Sequence, residues 1–205
     1  MKMITLSEIE TISKRATKAI GFHWGIAEEV GKNMRLLEQY GLSGIKNLNE
    51  YFKNYRNKTY QKATLILEKN ISQKIPYCPI ILGTNFLDQV TLLKKENEIY
   101  FENVAYPLLF LPFVSRASEI IGKRIFLKID EKEFLLNFNE SIYSNYLKLE
   151  ILNKGELIKI NFIENKNTFK LSEWEELHKL SKETFVEENE TLKNIGAGAG
   201  LTDND

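Results

Sequence analysis

Apolar residues recur at helical spacing over the first third of the chain. Ile9, Ile12, Ala16 and Ala19 follow at three- and four-residue intervals and predict an amphipathic helix over 7–20. Ser7 and Glu10 make a capping-box pattern at its start, and Gly21 breaks it. A second helix is predicted over 24–40, with Ile26, Val30, Met34 and Leu37 on its core face and Gly41 as C-cap. Leu48, Tyr51, Phe52 and Tyr55 suggest a shorter third helix. Residues 59–74, with Ala63, Leu65, Ile66 and Leu67, read as another. Pro76 and Pro79 then bracket Cys78 in a loop.

From about residue 90 the period changes. Ile99-Tyr100-Phe101 and Val104 read as strand. Residues 112–121 read as a short, nearly all-apolar helix with Pro112 in its first turn. Strands are predicted over 124–129, 134–138, 146–152 and 157–163, the last two joined by a hairpin at Asn153-Lys154-Gly155. Leu147, Leu149 and Ile151 alternate with Lys148 and Glu150, and Ile158, Ile160 and Phe162 with Lys159 and Asn161. Such alternation indicates a sheet with one wet face. Ser172 and Glu175 form a second capping-box pattern, opening a helix to about 184. This order predicts an α+β fold, with N-terminal helices packed with a mainly antiparallel sheet. The expected organisation is a single domain over 1–185. A glycine-rich tail over 186–205 is expected to fold back onto it, near His23-Trp24-Gly25.

Composition narrows the function classes. The chain has 205 residues, with 28 Lys and Arg against 28 Asp and Glu, so the formal net charge is zero. A strongly basic nucleic-acid binder is not indicated. The apolar stretch 105–114 carries Pro107 and Pro112 and falls short of the roughly 20 residues a span needs, so no membrane partner is expected. The first residues lack the apolar core of a secretory signal. The single cysteine, Cys78, excludes an intrachain disulfide and fits a reducing compartment, so a cytoplasmic location is expected.

Two segments carry a resemblance. They are Gly21-Phe22-His23-Trp24-Gly25-Ile26-Ala27-Glu28-Glu29 and Gly196-Ala197-Gly198-Ala199-Gly200-Leu201-Thr202-Asp203-Asn204-Asp205. Together they resemble an uncharacterised bacterial domain-of-unknown-function family. The resemblance implies a cytoplasmic bacterial protein and carries over no catalytic role.

Three constellations are candidates for chemistry. On the second helix, with Ile26 at 0°, Asn33 falls at about −20° and Glu29 at about −60°, on or beside the apolar stripe. A carboxylate there would be raised in pKa by burial and could act as general acid or base. Its bland reading is a helix-to-helix tie, with Glu28 and Arg35 as solvated surface. Arg116, between Phe113 and Ile120 on one helical face, needs an anion. That anion is either a ligand or a protein carboxylate such as Glu29 or Glu119.

The third constellation is the glycine-rich end. Gly196, Gly198 and Gly200 could form an anion nest, and Asp203 and Asp205 could accept hydrogen bonds or hold a hard cation. The bland reading is a frayed tail. The spacing fits neither a dinucleotide fingerprint nor a Walker loop, so no cofactor is indicated. Two histidines and one cysteine argue against a zinc site. His23 and Trp24 are weaker ligand-binding candidates, and Cys78 reads as a buried, inert thiol. Two functions remain open. One is binding or conversion of a small anionic metabolite, with Glu29 for proton transfer and Arg116 for the anion. The other is a non-catalytic accessory protein whose tail contacts a partner subunit or a second copy.

Overall fold

The computed structural model describes residues 3–146 and 150–184. The chain divides into two compact units, residues 1–165 and 166–205. The first is α+β. Three helices lead, α1 (Leu6–Ile20), α2 (Trp24–Gln39) and α3 (Gly44–Tyr55), followed by a short strand β1 (Lys69–Ile71) and α4 (Pro79–Leu93). Then come β2 (Glu98–Ala105), a one-turn 3-10 segment (Pro107–Leu109) and α5 (Leu111–Ile121). The unit closes with β3 (Arg124–Ile129), β4 (Lys132–Asn137), β5 (Ser141–Ser144) and β6 (Lys154–Ile163). The six strands lie in the order β1-β2-β6-β3-β4-β5, and only β1 with β2 is parallel.

Helices stack on the sheet in successive layers. α5 packs on β3 and β4 and beside α4, α2 packs on α4 and α5, and α1 packs on α2. The core lies between the sheet and α4 and α5. Phe86 of α4, Phe101 of β2 and Phe110 ahead of α5 meet edge to face, with ring centroids 5.5 to 6.4 Å apart. Each such buried ring contributes about 1.5–3 kcal/mol by leaving water.

Several elements differ from the sequence pattern for identifiable reasons. Helix α1 is capped by Thr5 and Glu8, not Ser7 and Glu10. Thr5 Oγ1 accepts from the Glu8 amide at 3.2 Å and Glu8 accepts from the Thr5 amide at 2.9 Å. That start leaves Glu10 free to pair with Arg35 of α2 at 3.2 Å.

Residues 59–74 form no helix. Ala63 and Ile66 are buried while Leu65 and Leu67 are exposed. The backbone finds its partners elsewhere: Gln61 N donates to Pro76 O, and the α4 side chains Asn85 and Gln89 donate to the carbonyls of Ala63 and Thr64. Residues 76–78 are non-helical, as the bracketing prolines indicate, and α4, which the sequence pattern does not show, starts at Pro79. Pro79 sits in its first turn, where a missing N–H costs nothing, and the Cys78 sulfur caps it.

The hairpin predicted at Asn153-Lys154-Gly155 does not turn. Lys154 and Gly155 already lie in β6, opposite Ala105 and Val104 of β2. Residues 145, 146 and 150–153 are not in strand, 147–149 lie outside the described residues, and the fifth strand falls earlier at Ser141–Ser144. The tight turns are elsewhere, at Asp130 and at Phe138-Asn139, which adopt positive φ of 51°, 52° and 61°.

In the second unit, α6 (Leu171–Ser181) begins with Glu173 accepting from the Lys170 amide at 2.6 Å, a residue pair ahead of the predicted Ser172 and Glu175. Helix α6 lies in this compact unit. Leu171, Trp174, Leu177 and Leu180 are exposed on it. The tail over 186–205 lies outside the described residues.

The contact between α4 and α5 depends on one glycine. A Cβ on Gly83 would lie far inside van der Waals contact with Phe113 Cδ2, and Phe113 is fully buried. Gly83→Ala is therefore expected to destabilise the protein by about 1–3 kcal/mol through overpacking. Urea denaturation measures this; an unchanged midpoint would contradict the packing.

Candidate functional site

Helix α2 places Glu29 and Asn33 one turn apart on the side facing α5, and α5 brings Arg116 to them. The guanidinium donates to the Glu29 carboxylate and, at 3.5 Å, reaches Asn33 Oδ1. Lys32 also donates to Glu29, at 3.0 Å. Glu29 and Arg116 side chains are each 22% exposed, Asn33 is fully buried, and its Nδ2 has no hydrogen-bond partner. Of the two carboxylates named for Arg116, Glu29 takes it, while Glu119 accepts from Asn139.

Burial alone would raise the Glu29 pKa, but the hydrogen bonds from Arg116 and Lys32 outweigh it, and the carboxyl is held below its ordinary value. The expected upward shift is thus reversed by Arg116, one of the partners the sequence allowed for this carboxylate, together with Lys32 one turn along α2. A carboxylate held ionised by two cations suits a clamp better than proton transfer near neutrality. Glu28 and Arg35 are not idle surface either: they tie α2 to α1 through Lys14 at 2.5 Å and Glu10 at 3.2 Å.

His23 is exposed, precedes α2 and makes no side-chain capping bond. Trp24 is half exposed, with Lys14 and Lys18 at 5.7 and 5.6 Å from its ring. Gly196, Gly198, Gly200, Asp203 and Asp205 lie outside the described residues. Among the described residues no group of three or more His, Cys, Asp and Glu is placed to hold a metal, and no helix is long and apolar enough to cross a membrane.

Concave surface in the first unit lies elsewhere and in several places, including a shallow depression of about 650 Å³ beside Leu42 and Lys46. A cavity of about 470 Å³ opens between the end of α3 (Glu50, Asn54), the following loop (Lys58, Tyr60), Pro76, the end of β2 (Ala105, Tyr106) and the start of β6 (Asn153, Lys154). A second, of about 270 Å³, shares Lys58 and Tyr60 and adds Tyr55, Thr59, Lys62 and Cys78. Neither is lined by Glu29, Asn33 or Arg116.

Tyrosines build the wall. The buried Tyr51 ring meets Tyr60, Tyr55 and Tyr106 at 5.3, 5.4 and 5.5 Å. Its hydroxyl lies 3.0 Å from Cys78 Sγ. Burial pushes the Tyr51 phenol far up, and that of Tyr60 up to about 12, where nearby Tyr106 and Cys78 add to the effect. The Tyr60 hydroxyl is buried without a hydrogen-bond partner among the described residues. The Cys78 thiol is likewise raised by burial, which the Tyr51 hydrogen bond only partly opposes, so it stays protonated and unreactive.

Tyr106 adopts φ 42° and ψ 57°, a left-handed conformation that costs a side-chain-bearing residue about 1–2 kcal/mol. Its amide donates to Asn153 O at 3.0 Å and its hydroxyl accepts from Asn54 at 3.0 Å. Strain of this kind, held from two sides, is characteristic of functional walls.

The sequence reading missed this cleft. Its parts come from four separated stretches, and its one visible signal was the density of tyrosine between 51 and 60. Asn153 and Lys154 had been read as a turn.

Residues 4–76 match the family model of a protein of unknown function (DUF3726). That stretch spans α1 to α3 and one side of the cleft, from Glu50 to Pro76. It supports the resemblance to an uncharacterised domain-of-unknown-function family. Tyr106, Arg116 and Lys154 lie beyond it. No curated protein and no solved structure matches the chain.

The clamp gives a pH prediction. Because the folded Glu29 carboxyl titrates below its unfolded value of about 4.3, its contribution is complete above that pH. It is lost as pH falls through the lower, folded pKa. Glu29→Gln should cost about 1–3 kcal/mol at pH 7 and much less at pH 3. Urea melts at the two pH values check this; an equal cost at both would contradict the ion pair.

Proposed function

We propose that the chain binds a small anionic ligand in the cleft between α3, the loop after it and the β2–β6 edge. The observation that carries this reading is charge without a partner. Lys58, at the rim shared by both cavities, and Lys62 make no ion pair among the described residues. Lys154, paired with Glu156 at 2.8 Å, adds a second cation at the larger cavity. About 470 Å³ is within the usual range for small-molecule sites. The tyrosine wall is packed before any ligand arrives, so little ordering entropy is lost on binding. The raised phenols and thiol favour recognition over nucleophilic chemistry.

In this reading Glu29, Asn33 and Arg116 fix α2 against α5 and thereby the frame that carries α3. The single buried thiol, Cys78, supports a reducing compartment such as a bacterial cytoplasm.

Calorimetry against a panel of small carboxylates and phosphates tests the proposal. A panel member is expected to bind, and Lys58→Glu should weaken it at least tenfold with the melting temperature unchanged. Undiminished affinity in Lys58→Glu, or no binding by any member, would overturn it.

A further inference from the structure

The cleft is not uniformly basic. At its α3 side Glu50 and Asn54 lie one turn apart, and both line the larger cavity. Asn54 Nδ2 lies 3.2 Å from Glu50 Oε1 and 3.0 Å from the Tyr106 hydroxyl, so carboxylate, amide and phenol form one network. Lys53 reaches the other Glu50 oxygen at 3.3 Å from an exposed position. Such long, solvated contacts are weak. A carboxylate offers about four lone-pair sites, and each Glu50 oxygen here meets only one side-chain donor. Acceptor capacity therefore remains on a carboxylate that lines the cavity. The Glu50 charge is felt there: the Tyr106 phenol is raised by burial and then by Glu50. Lys58, on the same cavity, has no carboxylate partner among the described residues.

A purely anionic ligand would use the lysine pole and leave Glu50 as a repulsive neighbour. A ligand with both charges satisfies both poles, and a compact ammonium also gains from tyrosine ring faces. We propose that the ligand is zwitterionic and of the amino-acid type, its acid group held by Lys58 and Lys154 and its protonated amine by Glu50. The remaining volume, bounded by Tyr60 and Pro76, takes its side chain. This inference rests on the cleft reading above and narrows its ligand class.

The test is calorimetry on the full chain with the twenty common amino acids, each free and N-acetylated. Acetylation removes the ammonium and keeps the carboxylate. At least one free amino acid is expected to bind ten or more times tighter than its acetylated form. Glu50→Gln should abolish that preference, while Lys58→Gln should weaken both forms together; a melting curve of each variant confirms folding. An acetylated form that binds as well as the free one, with affinity still dependent on Lys58, would overturn the zwitterion and leave the anion cleft standing. Binding by neither form of any amino acid would overturn the zwitterion. Independence from Lys58 would overturn the cleft reading as well.

Discussion

Between the sheet and its covering helices, Ile99 and Phe101 of β2, Ile158 and Ile160 of β6, Ile125 and Leu127 of β3 and Phe134 and Leu136 of β4 are wholly shielded from water. Their burial requires α4 and α5 to lie close, which Gly83 permits by leaving room for the Phe113 ring. It also requires the chain to pass from β2 into α5 through a fully buried stretch, Pro107 to Leu111. That passage fixes the position of Tyr106. The left-handed turn at Tyr106 follows from the core, and the cleft follows from the turn, because its phenol is thereby aimed at Asn54.

The two polar clusters of the first unit differ in how their charges are matched. At Glu29 every charge has a partner: one carboxylate faces Arg116 and Lys32, and the pair sits between two helices. Asn33 Nδ2, buried beside them, has no hydrogen-bond partner among the described residues, but the charges themselves are matched, and their consequence is mechanical. At the cleft, among the described residues, Lys58 is unmatched, Glu50 is only loosely held, and the Tyr60 hydroxyl has no hydrogen-bond partner. Unmatched groups around a preformed concavity point to a ligand, whereas matched groups between helices point to stability.

Periodicity in the sequence was enough to place α1, α2, α3, α5 and the strands β2, β3, β4 and β6, because each buries one face and therefore repeats. It misplaced the stretch 59–74, where Ala63, Ile66 and Leu67 imitate a helical stripe while the backbone is tied to Asn85 and Gln89 of a helix that starts at Pro79. α4 is apolar on most sides because it is covered on most sides, so it shows little period. The proximity of Glu29, Asn33 and Arg116 could be inferred from helical angles, but not the direction of the Glu29 pKa, which depends on Lys32 and Arg116 together. The cleft was not legible, since Tyr60, Tyr106 and Lys154 meet only through the β2–β6 register.

Amide NMR spectra of the full chain titrated with benzoate, a planar carboxylate, test the central claim most directly. The account predicts saturable shifts concentrated at Asn54, Lys58, Tyr60, Tyr106 and Lys154, with Glu29 and Arg116 unmoved. Shifts centred on Glu29 and Arg116, or none that saturate at the cleft, would contradict it.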